Sequence, residues 1–260
     1  MPLKNGLFLL KEEVAGGRDW CLIVHGLGEH CGRYEKISKR LLSSNFNLLR
    51  FDLRGHGRSE GKRGDIRTFD DYLDDIEKAT DGIKKFHLIG HSLGGLIVIY
   101  YAMKRPERLR SLVASAPLLG LKINPPKFKL LLGRVLYRIA PGVSMSNEID
   151  PNKLSHDKSV VEAYINDPLV HRKITVRWFF ETMKAMDFVN RHPERIRTPA
   201  LFLHGSSDEL TDPKATESFY KKVNAEKKLC IYEGFYHEPF NELNNEQVFE
   251  EVIGWLKKFS

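Results

Sequence analysis

Short apolar runs alternate with helix-like segments along most of the chain. The runs have the length of buried strands, and most segments between them repeat apolar residues every three or four positions, as helices do. The strand-like runs are 20–25 (WCLIVH), 46–52 (FNLLRFD), 86–89 (FHLI), 109–115 (LRSLVAS), 200–204 (ALFLH) and 228–232 (KLCIY). The helix-like segments are 34–42, 68–83, 93–103, one that begins at 213, and 246–259. This order predicts an α/β fold with βαβ units and a mostly parallel sheet flanked by helices.

Two of the predicted helices begin at residues suited to capping. Thr68 precedes acid-rich first turns and is predicted to cap the segment 68–83. Asp212, followed by Pro213, is predicted to cap the helix after the run 200–204. Ligands of parallel sheets bind beyond the carboxyl ends of the strands, so we expect the functional residues there.

The alternation breaks between Pro117 and about Pro199. This stretch is too long for a simple loop and contains helix-like pieces separated by prolines. We therefore expect a first part of the core in residues 1–116, an inserted lid or cap in 117–198, and a second part of the core in 199–260.

One piece of the predicted insertion is amphipathic. Its apolar residues follow helical spacing, with Lys127, Arg134 and Arg138 away from their stripe. The apolar residues are Phe128, Leu131, Leu132, Val135, Leu136 and Ile139. Two interpretations are open: a lid helix packed on the body, or a basic helix that contacts a lipid interface transiently.

Composition favours a globular enzyme-sized domain over other classes. The 260 residues fit one large domain, and 42% are hydrophobic, enough for a sizeable core. No run of 18 apolar residues exists, and the first residues, MPLKNGLFLLKEE, lack the features of a signal peptide. The three cysteines lack metal spacing and are odd in number, which favours a reducing cytoplasmic setting, with peripheral membrane association as the alternative.

The net charge of +7 raises the question of an anionic partner. No zinc-finger spacing, RNA-binding aromatic motif or basic repeat accompanies it, so we expect no nucleic-acid partner. Glutamine occurs once, at Gln247, and charged residues reach 29%, which favours a thermophilic source. The sequence does not predict the oligomeric state.

The pentapeptide Gly-His-Ser-Leu-Gly at 90–94 lies between a predicted strand and a predicted helix. A G-x-S-x-G in this context is typical of a nucleophile elbow, a tight turn that exposes the serine above the sheet. The motif alone recurs by chance in ordinary loops, so a base, an acid and an oxyanion hole must accompany it. We take Ser92 as the candidate nucleophile.

A serine hydroxyl needs a neighbouring base, and in folds with this elbow the order along the chain is serine, acid, histidine. His237 follows the last predicted strand and is the candidate base. Asp208, four residues past the run 200–204, is the candidate acid that orients the imidazole. Glu209 is the alternative acid, because Asp212 is better used as a helix cap.

An oxyanion hole requires two backbone N–H groups near the serine. The residue after the nucleophile, Leu93, supplies one in such elbows. The turn His25-Gly26-Leu27-Gly28 follows the first strand-like run, and we expect the Leu27 N–H to be the second donor. This chemistry needs no metal and no organic cofactor.

The segments HGLGEHCGRY, FDLRGHGRSEGKRG, GHSLGG, DPLVH, HGSSDELTDP and YEGFYHEPFNE together resemble the monoacylglycerol lipases and their lysophospholipase relatives. The resemblance covers nearly the whole chain. It implies the α/β-hydrolase fold, a helical lid, and hydrolysis of one fatty acyl ester from a glycerol that carries a single chain. It also implies Ser92, Asp208 and His237 as the catalytic triad.

The resemblance further implies a polar end of the pocket, which receives glycerol, lined by Glu29, Arg33, His91 and Tyr164. A site that hydrogen-bonds the free hydroxyls of glycerol would discriminate strongly. An internal salt bridge that positions the turn is the alternative for Glu29 and Arg33. Cys31 stands where many relatives carry serine, and it is either an inert small residue or a reactive thiol.

Other functions remain open on the same fold. They are a broader carboxylesterase, a lysophospholipase, or a prolyl-type aminopeptidase, which would need acidic groups to hold the substrate ammonium. A non-catalytic binding protein is the alternative from a different class. Such proteins often lack a triad residue, whereas here all three candidates are present.

Overall fold

The computed structural model describes residues 5–17, 19–122 and 126–260, without the side chain of Lys127. Its centre is a seven-stranded sheet of β1 (Leu9–Glu12), β2 (Trp20–Val24), β3 (Asn47–Phe51), β4 (Phe86–His91), β5 (Leu109–Ser115), β8 (Ala200–Gly205) and β9 (Lys227–Tyr232). In space these strands follow the order β1-β3-β2-β4-β5-β8-β9. Only β1 runs antiparallel to its neighbour; the other adjacent strands of this sheet are parallel. The predicted mostly parallel sheet is confirmed.

Helices cover both faces of the sheet. They are α1 (Glu35–Ser43), α2 (Asp70–Ala79), α3 (Leu93–Lys104), α4 (Lys127–Ile139), α5 (Lys158–Asn166), α6 (Val176–Arg191), α7 (Pro213–Lys222) and α8 (Glu246–Lys258). Successive strand residues point to opposite faces, so Leu22 packs in the core layer of α2, α3, α6 and α7, whereas Ile23 packs in the layer of α1 and α8.

The N-terminal edge strand β1 was not predicted. Its four residues are mostly half-buried, and Leu9 pairs with Phe51 while Glu12 pairs with Leu48. A strand this short at a sheet edge has no alternation long enough to read from the sequence.

Helix α2 begins and ends inside its predicted range of 68–83. The prediction that Thr68 caps it is wrong. The Asp71 carboxylate instead accepts hydrogen bonds from the backbone N–H of Arg67 and Thr68, at 2.8 and 3.4 Å. Backbone carbonyls, not a side chain, accept from the first-turn N–H groups: the Asp71 N–H donates to Thr68 and the Tyr72 N–H donates to Phe69, each at 3.2 Å. The predicted cap of α7 is confirmed, because Asp212 accepts from the Lys214 N–H at 3.1 Å.

Between β5 and β8 the chain forms α4, α5 and α6, and a two-stranded antiparallel sheet of β6 (Ser144–Ser146) and β7 (Lys173–Thr175). Part of this segment is anchored on the body. The Trp178 indole N–H donates to the Tyr72 hydroxyl at 2.8 Å, and the Thr175 hydroxyl donates to Asp65 at 2.7 Å. Helix α6 therefore belongs to the main core, where Trp178, Ala185 and Val189 are buried.

Helix α4 differs from α6 in its exposure. Phe128 is 70% exposed and Ile139 is 73% exposed, and Leu131, Leu132 and Val135 are exposed as well. Burying such side chains is worth about 1.5–3 kcal/mol each, so an uncovered apolar face is costly in water. None of the helices in the described ranges is long and apolar enough to cross a membrane.

Candidate active site

Ser92 lies in the single-residue connection between β4 and α3. Its backbone has φ 54° and ψ −115°, a conformation that is rare and strained for a residue with a side chain. The flanking glycines make this turn sterically feasible. A Cβ at Gly90 would lie 2.2 Å from the Gly94 carbonyl oxygen, and one at Gly94 would lie 2.2 Å from that of Val24. Strand and helix can approach this closely only without side chains at these two positions.

Three side chains from distant parts of the chain meet at this turn. The Ser92 Oγ lies 2.9 Å from His237 Nε2, and His237 Nδ1 lies 2.8 Å from an Asp208 carboxylate oxygen. Asp208 follows β8, and His237 follows β9, at the carboxyl edge of the sheet. Asp208 and His237 are buried, whereas Ser92 is only half-buried and remains accessible.

The Asp208 carboxylate is held by more partners than the sequence predicted. It accepts from the backbone N–H of Leu210 and Thr211, at 2.7 and 3.0 Å. It also accepts from the Thr211 hydroxyl at 2.8 Å and from His204 Nε2 at 3.0 Å. Burial alone would raise the pKa of Asp208, but His237 and the bond from His204 outweigh it and hold that pKa well below its usual range. The carboxylate therefore stays charged.

The charged carboxylate changes the basicity of His237. Burial alone would lower the pKa of His237, but the charge and hydrogen bond of Asp208 outweigh burial and raise that pKa. A more basic imidazole takes the serine proton more readily, provided that the pH keeps it neutral beforehand. Glu209, the alternative acid, does not contact His237 and instead pairs with Lys153 at 2.7 Å.

The turn 25–28 faces the serine. A Cβ at Gly26 would lie 3.4 Å from that of Ser92. The backbone N–H groups of Leu27 and Leu93 find no acceptor within the described part of the chain, so both are available to a ligand. His25 fixes this turn, because its Nε2 accepts from the Leu53 N–H at 2.9 Å while its Nδ1 contacts the Gly26 carbonyl at 2.8 Å.

A cavity of about 560 Å³ opens beside the serine. Its walls include Leu27, Ser92, Leu93 and His237 on the core side. The segment between β5 and β8 supplies a largely apolar wall, which includes Leu118, Leu136, Trp178, Phe179, Met183 and Met186. Its volume lies in the range of small-molecule sites, and its lining suits a hydrocarbon chain.

Glu29 and Arg33 do not line this cavity and form an internal ion pair. Arg33 donates to Glu29 at 2.5 Å and makes two bonds to Glu238, at 2.7 and 2.9 Å. Burial alone would raise the pKa of Glu29, but Arg33 and its other neighbours outweigh burial and lower it to about 2. The Tyr34 hydroxyl also donates to Glu29, at 2.6 Å. Both carboxylate oxygens of Glu29 and both terminal nitrogens of Arg33 are thus engaged.

His91 and Tyr164 are the other two residues of the predicted polar end; both are buried, and like Glu29 and Arg33 they do not line the cavity. The His91 Nδ1 and the Tyr164 hydroxyl find no hydrogen-bond partner among the described residues. Burial, together with the nearby His237, lowers the pKa of His91 to about 4, so this imidazole is neutral near pH 7. Tyr164 packs its ring 4.8 Å from the Arg33 guanidinium.

The two alternatives for Cys31 are separated by its surroundings. Its side chain is fully buried. Burial and the nearby Asp52 carboxylate raise the pKa of this thiol well above its ordinary value. Reactive thiols require exposure and a lowered pKa, so Cys31 is an inert core residue here.

Comparison with known proteins finds similarity over most of the chain. Residues 17–244 match the Hydrolase_4 family, described as Serine aminopeptidase, S33. Human monoglyceride lipase is 33% identical, over 91% of this chain and 81% of its own. Phospholipase YtpA of Bacillus subtilis is 32% identical, over 92% of this chain and 95% of its own. The crystal structure of Paleococcus ferrophilus monoacylglycerol lipase is 36% identical, with a TM-score of 0.92 over 98% of this chain and 99% of that chain.

Proposed function

The chain belongs to the Hydrolase_4 family described as Serine aminopeptidase, S33, and has the α/β-hydrolase fold, and we propose that it hydrolyses monoacylglycerols to a free fatty acid and glycerol. The observation that carries this proposal is the hydrogen-bonded series Ser92, His237 and Asp208, of which Ser92 and His237 line a largely apolar cavity. Two relatives named for monoacylglycerol hydrolysis, at 33% and 36% identity, support the choice of substrate.

In the proposed reaction, the Ser92 Oγ adds to the ester carbonyl carbon while His237 Nε2 takes the hydroxyl proton. The N–H groups of Leu27 and Leu93 stabilise the negative charge on the carbonyl oxygen, each by about 3 kcal/mol. His237 then gives the proton to the glycerol oxygen as the C–O bond breaks. Water attacks the resulting acyl-Ser92 while His237 takes its proton; the bond between the acyl carbon and the Ser92 Oγ then breaks, His237 returns the proton to that oxygen, and the fatty acid is released.

Glycerol binding is proposed for the buried groups that lack a partner. Neither residue lines the cavity, but we propose that the His91 Nδ1 and the Tyr164 hydroxyl each bond one free hydroxyl of a monoacylglycerol, because a buried polar atom left unpaired is costly. Glu29 and Arg33 bond each other, and Arg33 also bonds Glu238, so we propose that they support this end of the site without binding glycerol themselves.

The family description raises the alternative of an aminopeptidase, which would need a free carboxylate near Ser92. The carboxylates that line the cavity already have partners: Glu148 pairs with Lys129, Glu209 pairs with Lys153, and Asp150 caps the turn at Asn152. An ester substrate without an ammonium group fits this lining better.

A fluorophosphonate probe tests whether the protein is a serine hydrolase. We expect labelling of the wild-type protein and none of Ser92→Ala. No labelling of the wild type would contradict the proposal and favour a non-catalytic binding protein, whereas equal labelling of both would show that another residue reacts with the probe and would contradict Ser92 as the nucleophile.

The similarity to a phospholipase makes hydrolysis of lysophospholipids, or of esters more broadly, the second candidate function. Initial rates on monoacyl-, diacyl- and triacylglycerols and on lysophosphatidylcholine distinguish the substrates. We expect monoacylglycerol to react fastest. A faster rate on diacylglycerol or on lysophosphatidylcholine would overturn this choice.

We also propose that the exposed apolar face of α4 contacts the lipid aggregate transiently, through the segment 117–198 acting as a lid. The exposed cations Arg134 and Arg138 belong to the same helix, which suits an anionic surface. Co-sedimentation with anionic vesicles tests this contact in Leu131→Asp. The matched control is Leu243→Asp, because Leu243 is also exposed but lies outside α4. Unchanged sedimentation of Leu131→Asp would reject the contact.

A further inference from the structure

A buried network of charges lies between the turn 25–28, which we call the oxyanion turn, and the loop after β9 that carries His237, which we call the base loop. Its central residue is Arg33, whose side chain is 9% exposed, and the Glu29 and Glu238 side chains are each 4% exposed. The Arg33 guanidinium donates two bonds to Glu238, and a third to Glu29. Arginine can bridge in this way because its planar group presents several donors in a fixed geometry.

We propose that Glu238 and Arg33 are positioning residues that fix the base His237 relative to the oxyanion turn, and that Glu238 also supports the charge of the protonated base. This inference rests on the proposed serine hydrolysis. Glu238 directly follows His237 in the chain. At the other end of the network, Glu29 accepts from the Gly26 N–H at 2.6 Å, and Gly26 directly precedes Leu27. Each end of the network is therefore one residue from a group that acts on the ester.

The Glu238 end of the network is fixed by further bonds. Its backbone N–H donates to the Leu154 carbonyl at 2.8 Å, and the Asn241 amide donates to its carboxylate at 2.9 Å. Without Glu238, the buried Arg33 would keep only one carboxylate partner, and partly compensated buried charges are destabilising. The base loop and the oxyanion turn would then lose their direct connection.

Glu238 also acts on His237 through its charge. His237 is surrounded by groups from several elements: Ser92, His91 from β4, Asp208 and Thr211 from the loop after β8, Lys153 beside the cavity, and the carboxylates of Glu29 and Glu238. Both glutamates raise the pKa of His237, in addition to the larger effect of Asp208. Removing the Glu238 charge should therefore lower the pKa of His237. The neutral base then persists to lower pH, so the acid limb of the kcat/KM profile moves to lower pH.

Glu238→Gln tests the proposal, because glutamine keeps the shape of the side chain and removes its charge. The control is Glu242→Gln. Glu242 is a buried carboxylate four residues further on that accepts from the Tyr236 N–H at 2.8 Å and from His156, without contact to Arg33. For each protein, kcat, KM and the pH profile are measured on a soluble p-nitrophenyl ester, with thermal unfolding followed in parallel.

We expect Glu238→Gln to lower kcat on the order of 10-fold, with a smaller change in KM, because misplacement of a catalytic group affects the reacting geometry. We also expect the acid limb of its kcat/KM profile to lie at lower pH than in the wild type. In Glu242→Gln this limb should stay at the wild-type pH. An unmoved limb in Glu238→Gln, or the same changes in both variants, would overturn the proposal.

Glu238→Asp keeps the charge and shortens the reach, so it serves as the second variant if glutamine prevents folding. Its acid limb should stay at the wild-type pH while kcat falls, and either a shifted limb or an unchanged kcat would count against the proposal. Failure of the proposed function itself is distinguishable, because it would appear as absent probe labelling and absent ester hydrolysis in the wild type.

Discussion

At the scale of single residues, Asp208 and Glu209 are adjacent candidates for the acid that orients His237, and substitutions at the two positions should have different effects. Asp208 is buried and bonds His237, whereas Glu209 is exposed and pairs with Lys153. We expect Asp208→Asn to lower kcat on the order of 10⁴-fold, because an amide favours the wrong tautomer of the imidazole. Glu209→Gln should keep kcat within a few fold. Steady-state kinetics on a soluble ester decides, and the reverse order of effects would reassign the acid.

The sequence supported Asp208 through its position after a strand and through the fixed order of the triad. It did not indicate His204, Thr211 or Glu238, which hold the acid and the base in place. These contacts join residues brought together by the sheet, and nothing in their spacing marks them. The alternative of an internal salt bridge for Glu29 and Arg33 was available from the sequence, because the two residues are four positions apart. The second partner of Arg33, Glu238, lies 205 positions further on, and the sequence did not indicate it.

At the scale of elements, the elbow between β4 and α3 depends on missing side chains. A Cβ at Gly94 would lie 2.2 Å from the Val24 carbonyl oxygen and 2.7 Å from that of His25, and neither backbone atom can move cheaply. We expect Gly94→Ala to lower the free energy of unfolding and to abolish esterase activity, since β2 and the oxyanion turn would have to shift.

Gly254→Ala is the matched control for this prediction. Gly254 lies inside α8, and a Cβ there would meet nothing within 4 Å. Alanine should stabilise the helix by about 0.5–1 kcal/mol and leave activity unchanged. Denaturant unfolding and ester hydrolysis of both variants test the pair. A Gly94→Ala enzyme with normal activity would show that the elbow tolerates a side chain.

Elements with a long periodic pattern were predicted well, and those fixed by packing were not. The glycines and apolar runs around Ser92 predicted both β4 and α3. The short strand β1 was missed because it depends on pairing with β3 rather than on its own pattern. The amphipathic pattern of 127–139 predicted a helix, but only the structure shows that its apolar face is exposed, since burial depends on what lies opposite.

At the scale of the whole molecule, buried histidines make stability depend on pH. Burial is the largest cause that lowers the pKa of five of them: His25, His56, His87, His91 and His171. The folded protein therefore binds fewer protons at these sites than the unfolded chain, whose histidines titrate near pH 6.5. Their contribution to the free energy of unfolding is fully present above about pH 6.5. It is lost as the pH falls toward the pKa values that these histidines have in the folded protein. His237 acts in the opposite sense, because its raised pKa stabilises the fold at low pH.

The histidines with a lowered pKa outnumber the one with a raised pKa. The free energy of unfolding should therefore fall between pH 7 and pH 5, by at most about 1.4 kcal/mol per pH unit for each histidine. His87 tests this away from the active site. It lies near the start of β4, its Nδ1 contacts the Ser111 hydroxyl at 2.8 Å, and burial lowers its pKa to about 3. His87→Gln cannot titrate, so denaturant unfolding at pH 7, 6 and 5 should give it a shallower decline than the wild type. Equal slopes in the two proteins would show that His87 does not contribute to the acid sensitivity of the fold.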